Sequence, residues 1–313
     1  MDAKRRKEEG LAIVLAFFTT AIFFLTTPIT PSNGGYDSDG LVYGVMAGAR
    51  LLPPDEAAYV RRMAPWCYRI VSPGIASVLP FDPLTNFRVM AFLADFSSLL
   101  LLFQILRRLA FSPFLSVVGL LFYAGSFWTL KFSFYSPAYI DDETQFFLLL
   151  LIDATLSRRW RLLMFLLPVA ALQKESLALY SFFCVAGLHA AGSRGGGGRG
   201  ALLWRGALLV LLPFGALAVV RGMIEPSNPR YDPTVAFRHL AEVLSPRFWP
   251  ILLQALFSGL GILPVLLLCG GAWCRFLRRR WAWGVYGVIG VACLFGGGDK
   301  ARLFLYLLPL VVV

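Results

Sequence analysis

The sequence predicts an all-α membrane protein: a polytopic transmembrane helical bundle of about ten spans, with interfacial helices in its outer loops. Three observations carry that prediction. Of 313 residues, 58% are apolar and 15% charged, against roughly 25% charged in a soluble domain, and mean hydropathy is +0.69. Apolar runs near the ~20 residues that cross a hydrocarbon core recur along the chain. Lys and Arg cluster between those runs, in Lys4-Arg5-Arg6-Lys7, Arg107-Arg108, Arg158-Arg159 with Arg161, Arg194/Arg199/Arg205, and Arg275 with Arg278-Arg279-Arg280. Soluble enzymes, disulfide scaffolds and disordered chains are thereby excluded, and uninterrupted runs exclude the alternation of a β-barrel. The net charge of +11 is spent on orientation signals rather than on a nucleic-acid surface.

The first span is Leu11 to Ile29, preceded by basic residues and followed by no small-residue cleavage site, so it reads as an uncleaved helix. Further spans fall at 86–106, 114–130, 143–157, 162–173, 176–191, 201–221, 250–270 and 282–296, with a last one opening near 302. That last segment has twelve residues, about 18 Å of helix, so the chain reads as one transmembrane domain over 1–313 that stops inside a span or folds back. With a cytoplasmic N-terminus every basic cluster lands on the cytoplasmic side. The opposite side receives two long segments, 30–85 and 222–249, and shorter ones at 131–142, 174–175 and 297–301.

The acids sharpen the asymmetry. Asp37, Asp39, Asp55, Glu56, Asp82, Asp141, Asp142, Glu143, Glu175, Glu225, Asp232, Glu242 and Asp299 all map to the outer face or its edge, a bias that insertion does not require. Helix signals occur in both long outer segments: Pro54 to Trp66 with Asp55-Glu56 early and Arg61-Arg62 late, and a stretch opened by Asp232-Pro233. Cys184 and Cys293 lie in apolar runs, and His189 and His239 match no metal spacing, so neither a disulfide framework nor a zinc site follows.

Candidate chemistry gathers in five stretches. Tyr36-Asp37-Ser38-Asp39-Gly40 follows span 1 and opens a helix with Leu41, Val45 and Ala49 on one face; Asp39 or Asp37 either caps that helix or serves as a general base. Pro65-Trp66-Cys67-Tyr68-Arg69 sets a planar guanidinium at the lipid boundary, suited to two phosphate oxygens or to snorkelling. Asp141-Asp142-Glu143 begins span 4, where three acids favour the helix dipole, a second acid/base role or a divalent cation. Lys174-Glu175 joins two short spans, as a pair or a hairpin cap, and Gly296-Gly297-Gly298-Asp299-Lys300-Ala301-Arg302 offers two cations on a flexible turn. Within the bilayer Asp95 is the expensive residue, a proton relay or a hydrogen-bonding partner of Ser97, Ser98 or Gln104.

In their order these residues resemble polytopic glycosyltransferases of the GT-C superfamily, in particular bacterial members of the dolichyl-phosphate-mannose-mannosyltransferase-like type. Asp39-Gly40-Leu41-Val42-Tyr43 fits the family's D-G-x-x-Y after span 1, and Tyr68-Arg69-Ile70-Val71-Ser72-Pro73 fits its aromatic-Arg-x-x-x-Pro element. Asp141-Asp142-Glu143, Lys174-Glu175 and Asp299-Lys300-Ala301-Arg302 are similar to its acidic second outer loop, its Lys-Glu junction and its later basic loop. Asp37 beside Asp39 departs from the pattern and leaves the identity of the base open.

The resemblance implies transfer of a sugar from a polyprenyl-phosphate-linked donor to a lipid or glycan acceptor, at the extracytoplasmic face of the cell membrane, with inversion. Asp39 or Asp37 is then the base, and Tyr36, Tyr43, Arg69, Asp141, Asp142, Glu143, Lys174, Glu175, Asp299, Lys300 and Arg302 bind donor phosphate or substrate. No cofactor and no metal are implied beyond the cation considered at Asp141-Asp142-Glu143. Arg69, Lys174, Lys300 and Arg302 are expected to converge with Asp39 on one cavity. The competing readings are a transporter or flippase for a lipid or small solute, which needs polar groups near the midplane, and a membrane scaffold without catalysis.

Overall fold

The structure is a computed structural model that describes residues 2–192, 199–228 and 280–293, with isolated positions between and beyond. Every regular element among the described residues is helical. Their contacts group the chain into two compact units, Met1–Leu150 and the remainder from Leu151.

The first unit is built on α1 (Asp2–Thr26) and α5 (Pro83–Arg108). They run antiparallel: Arg107 Nη2 lies 3.3 Å from Glu8 Oε2 at one end, and at the other the Arg88 guanidinium sits 4.6 Å over the Phe24 ring. Between these ends Phe17 and Phe24 meet Phe92 edge-to-face at 6.0 and 5.5 Å, the arrangement the ring quadrupole favours. The start of α5 follows from local chemistry, because Asp82 accepts from Thr85 N at 3.1 Å and Pro83 occupies the first helical position. The same grammar starts α6 (Pro113–Gly125), where Ser112 accepts from Leu115 N at 3.2 Å. Beyond Gly125 the chain bends by 41° into Trp128–Tyr135. Thr129 has φ −98°, ψ −123° at the break, and its hydroxyl lies 2.7 Å from both Tyr123 O and Ser126 O, which also accept from Ser126 N and Thr129 N at 3.2 and 3.3 Å.

Residues 27–82 therefore cap the end where Phe24 meets Arg88. Thr30 N donates to Tyr135 O at 2.7 Å, which brings the short helix α7 (Phe132–Tyr135) to the same end. Three short helices form the cap: α2 (Asp39–Met46), α3 (Pro54–Arg61) and α4 (Val71–Val78). The helix expected from Pro54 is α3; it carries Asp55 and Glu56 in its first turn, Arg61 in its last and no buried residue. A core of Tyr36, Tyr43, Ala76, Phe87, Met90, Ala138 and Ile140 ties α2, α4 and α5 to the turn before α8 (Asp141–Leu156). Asn86, 1% exposed, clamps α4 to α5. Its Nδ2, with two hydrogens shared among three acceptors, lies 2.8, 3.1 and 2.9 Å from Ala76 O, Leu79 O and Phe81 O, and its Oδ1 accepts from Phe81 N at 3.2 Å.

The second unit contains α9 (Trp160–Gln173), a 3₁₀ turn over Glu175–Leu179, α10 (Tyr180–Gly192), α11 (Arg199–Met223) and α12 (Ala282–Cys293). α10 and α12 are joined by an aromatic cluster in which Tyr180, Phe183 and Trp283 each approach Tyr286, at centroid distances of 5.1, 5.3 and 5.5 Å. Thr155 Oγ1 lies 3.2 Å from Cys184 Sγ, and Cys67, Cys184 and Cys293 are buried and in the thiol form.

Among the described residues three helices are long and apolar enough to cross a membrane, Arg6–Thr26, Pro83–Arg108 and Gly200–Met223, or four if the bent pair counts as one span. Ten were expected over the whole chain, and the difference has a geometric reason. The expected spans 143–157 and 162–173 fall on Asp141–Leu156 and Trp160–Gln173, of 16 and 14 residues, about 24 and 21 Å of helix at 1.5 Å per residue, against a core of ~30 Å; the helices at the expected spans 176–191 and 282–296 are described only as far as Gly192 and Cys293. The expected spans at 250–270 and from 302, and the helix after Asp232-Pro233, lie outside the described residues.

Candidate functional site

α2 begins with an uncommon backbone. Ser38, the residue before it, has φ 44° and ψ −114° and makes no side-chain cap, and Gly40 N donates to Asp37 O at 2.7 Å. Neither Asp37 nor Asp39 caps the helix; Asp39 is its first residue, half-buried. A non-glycine residue held in such a conformation costs of order 1–3 kcal/mol, and such strain concentrates at functional positions. Gly40 follows because the helix start presses on the next segment: a Cβ there would lie 3.2 Å from Ala138 Cβ. Of the face expected from Leu41, Val45 and Ala49, Val45 is fully buried and Leu41 half-buried, whereas Ala49 lies beyond the helix, which ends at Met46.

One turn on, Tyr43 is 1% exposed and its hydroxyl accepts a hydrogen bond from Arg69 Nη1 at 2.8 Å. This contact joins two motifs 26 residues apart. Arg69 reaches it from the one-turn helix Trp66–Tyr68, closed by Arg69 N donating to Trp66 O at 2.9 Å. Burial holds the Tyr43 phenol far above its ordinary range; Arg69 opposes the shift, and the Asp39 and Asp141 carboxylates add to it. Tyr43 is thus a neutral group around which Asp39, Arg69 and Asp141 lie within electrostatic reach.

The three acids expected at the start of span 4 begin α8 and are buried, at 5%, 4% and 6% exposure for Asp141, Asp142 and Glu143. Successive residues on a helix point about 100° apart, and these three diverge. Asp141 faces Tyr43, Asp142 Oδ1 accepts from Ser133 Oγ at 2.5 Å, and Glu143 faces Ser72. Asp142 also lies within electrostatic reach of Asp95 and Asp141, and Glu143 of Asp142 and Asp141; among the described residues no three His, Cys, Asp or Glu side chains are placed to hold a metal ion. Ser133 also faces Asp95, which is 2% exposed. Asp95 Oδ2, Asp142 Oδ2 and both Glu143 oxygens are buried without a hydrogen-bond partner. Ser133, within the aromatic run Phe132-Ser133-Phe134-Tyr135, is the polar residue that sequence reasoning passed over.

Tyr36 stands behind α2 rather than beside Asp39. Its ring lies against Gly44, where a Cβ would fall 2.5 Å from it, and burial, then the Asp82 carboxylate, push its phenol up to about 12. Lys174 and Glu175 belong to the second unit. Lys174 ends α9 in extended backbone, is 8% exposed and is an electrostatic neighbour of Cys293. Asp299, Lys300 and Arg302 lie outside the described residues. Of the expected constellation, the structure brings together Asp39, Tyr43, Arg69 and Asp141 in the first unit. Comparison of the chain with protein-family models, with curated proteins and with solved structures finds no match.

Proposed function

We propose that the chain is an integral-membrane glycosyltransferase of the GT-C type, moving a sugar from a polyprenyl-phosphate carrier to an acceptor hydroxyl on the extracytoplasmic side. The observation that supports it is the 2.8 Å contact between Arg69 and Tyr43, which joins the two motifs carrying the resemblance beside Asp39. In this reading Asp39, or Asp37 next to it, accepts the proton of the acceptor hydroxyl as its oxygen bonds to the anomeric carbon. The bond from that carbon to the phosphate oxygen breaks on the opposite face, so the configuration inverts and polyprenyl phosphate departs with an added negative charge. Arg69, oriented by Tyr43, stabilises that charge without reorganising. The N-terminus is then cytoplasmic, a placement supported by the Glu8–Arg107 pair, which sets the first two basic clusters at one end of the first unit.

The test reconstitutes the full chain with radiolabelled polyprenyl-phosphate hexoses and pentoses and a membrane-lipid acceptor extract. Asp39→Asn keeps shape and removes basicity, so transfer falls by about 10²–10⁴; if Asp39→Asn and Asp37→Asn, each folded, both transfer at the wild-type rate, the reading is wrong.

A transporter or flippase is the second reading, favoured by the carboxyls of Asp95 and Asp142 meeting Ser133 inside the helices. Movement of the intact lipid-linked sugar across proteoliposome bilayers, with no glycosidic bond broken, decides for it.

A further inference from the structure

The second unit carries an apolar groove between α10 and α11 with a volume of about 340 Å³, at the low end of the ~300–1,000 Å³ range of ligand sites. Phe182, Val185, Leu202 and Val210 line it, and the polar members of its lining are His189 and Arg205. His189 is in the last turn of α10 and Arg205 in the second turn of α11, so both lie toward the helix ends that residues 193–198 connect. Five residues on from Arg205, about 7.5 Å along the helix, Val210 belongs to the apolar part. α11 turns Leu203, Trp204 and Leu211 outward, at 74%, 65% and 63% exposure, so the groove lies on a helix that faces lipid.

Arg205 is held in place. Its guanidinium lies 4.7 Å over the ring of Trp160, the first residue of α9, and Arg161 lies 5.4 Å from the same ring. Stacking occupies the flat face of a guanidinium and leaves its in-plane N–H edge for oxygen acceptors. The segments that carry these cations are basic, since neither 157–161 nor 189–205 contains an Asp or Glu; the nearby Asp153 carboxylate is engaged by Ser157 Oγ at 3.5 Å.

We infer that this groove binds an anionic phospholipid of the bilayer. Its phosphate lies on Arg205 and His189 with Arg161 at the flank, and one acyl chain runs along Phe182, Val185 and Val210. Basic pockets between membrane helices select anionic headgroups in this way. A free phosphate gains nothing from the apolar walls, and a zwitterionic lipid brings an ammonium group to a groove whose lining has Arg205 and His189 and no Asp or Glu. The site is independent of the Asp39–Arg69 region and does not rest on the proposed transfer reaction.

The experiment uses the full chain in nanodiscs of phosphatidylcholine mixed with phosphatidylglycerol. Lipids that stay bound are identified by native mass spectrometry, and a phosphatidylglycerol with a photoreactive acyl chain maps the contact on the unaltered protein. Labelling at Val185 or Val210, and a fivefold to tenfold loss of retained phosphatidylglycerol in Arg205→Ala of roughly the size of one cation–phosphate contact, are expected. Ala207→Phe, which fills the groove and keeps the charge, gives the same loss, and Arg205→Lys restores part of it. Labelling confined to other helices overturns the assignment whether or not the variants fold. Equal retention of phosphatidylcholine, or displacement of phosphatidylglycerol by added polyprenyl phosphate at lower concentration, overturns the choice of occupant.

Discussion

Asn86 offers the sharpest test of how the cap around Asp39 and Arg69 is held. Its side chain closes the end of α4 and the 79–82 turn onto α5 through three carbonyls and one amide. Asn86→Ala leaves Ala76 O, which is buried, without a partner, at about 1–3 kcal/mol, whereas the part-buried groups at Leu79 and Phe81 are partly rescued by water, at about 0.5–1.5 kcal/mol each. Alanine returns a few tenths of a kcal/mol in helix propensity, so the net loss is about 3 kcal/mol, or about 6–12 °C in the unfolding midpoint at 2–4 °C per kcal/mol. Asn86→Asp is the stricter variant. It keeps an acceptor for Phe81 N but turns an oxygen toward three carbonyl oxygens, so it falls below Asn86→Ala. Thermal unfolding in detergent, followed by a thiol-reactive fluorophore that reports exposure of the buried Cys67, Cys184 and Cys293, measures both. A midpoint for Asn86→Ala within about 1 °C of wild type, or an aspartate variant no worse than the alanine, refutes the clamp.

Gly44→Ala drives a methyl group into the Tyr36 ring, 2.5 Å away, and costs about 1–3 kcal/mol; an unchanged midpoint in the same assay contradicts the close approach. Tyr36 has its phenol raised to about 12 in the folded chain against about 10 unfolded, so the folded state holds the extra proton and stability falls as pH rises from about 10 to about 12. Tyr36→Phe removes that share of the fall, which midpoints measured across the same range detect. Tyr43→Phe keeps the buried ring and deletes the Arg69 partner. Because Arg69 is half-exposed, stability drops by only about 1 kcal/mol, while transfer by the reconstituted protein falls about 10²-fold if Arg69 must be oriented; equal, small effects on both argue against a positioning role.

The helix start at Pro54 was legible because it depends on neighbours within three residues, and the spans placed from 86 and 114 fall on helices that open slightly earlier, at Pro83 and Pro113, where Asp82 and Ser112 cap them. The long runs of α1, α5 and α11 were legible too. Span length was not, since Leu163 to Ala171 reads as membrane by composition whether its helix is 14 residues or 20. Asp141, Asp142 and Glu143 were legible as the start of a helix, but their burial was not, because three acids in sequence give no sign of what packs over them. Burial beneath α2 is decided by Gly40 meeting Ala138, a contact between distant segments. The Tyr43–Arg69 pair lies across 26 residues with no periodicity to announce it, and only the order of short motifs pointed there.

α1 is fastened to α5 at its two ends, by Glu8 with Arg107 and by Phe24 with Arg88, while Leu11, Phe18 and Leu25 face outward at 64%, 59% and 79% exposure. Its 21-residue span is about 31 Å long, close to the hydrocarbon thickness of an average bilayer. A thinner or thicker membrane is met first by tilt of such a lipid-facing helix. The Glu8–Arg107 pair is partly exposed and resists by no more than about 1 kcal/mol. Thirteen positions separate Thr26 from Asp39, and Thr30 ties that link to Tyr135. In the orientation proposed above, the height of the Asp39 carboxylate over the lipid is therefore a property the protein would share with its membrane.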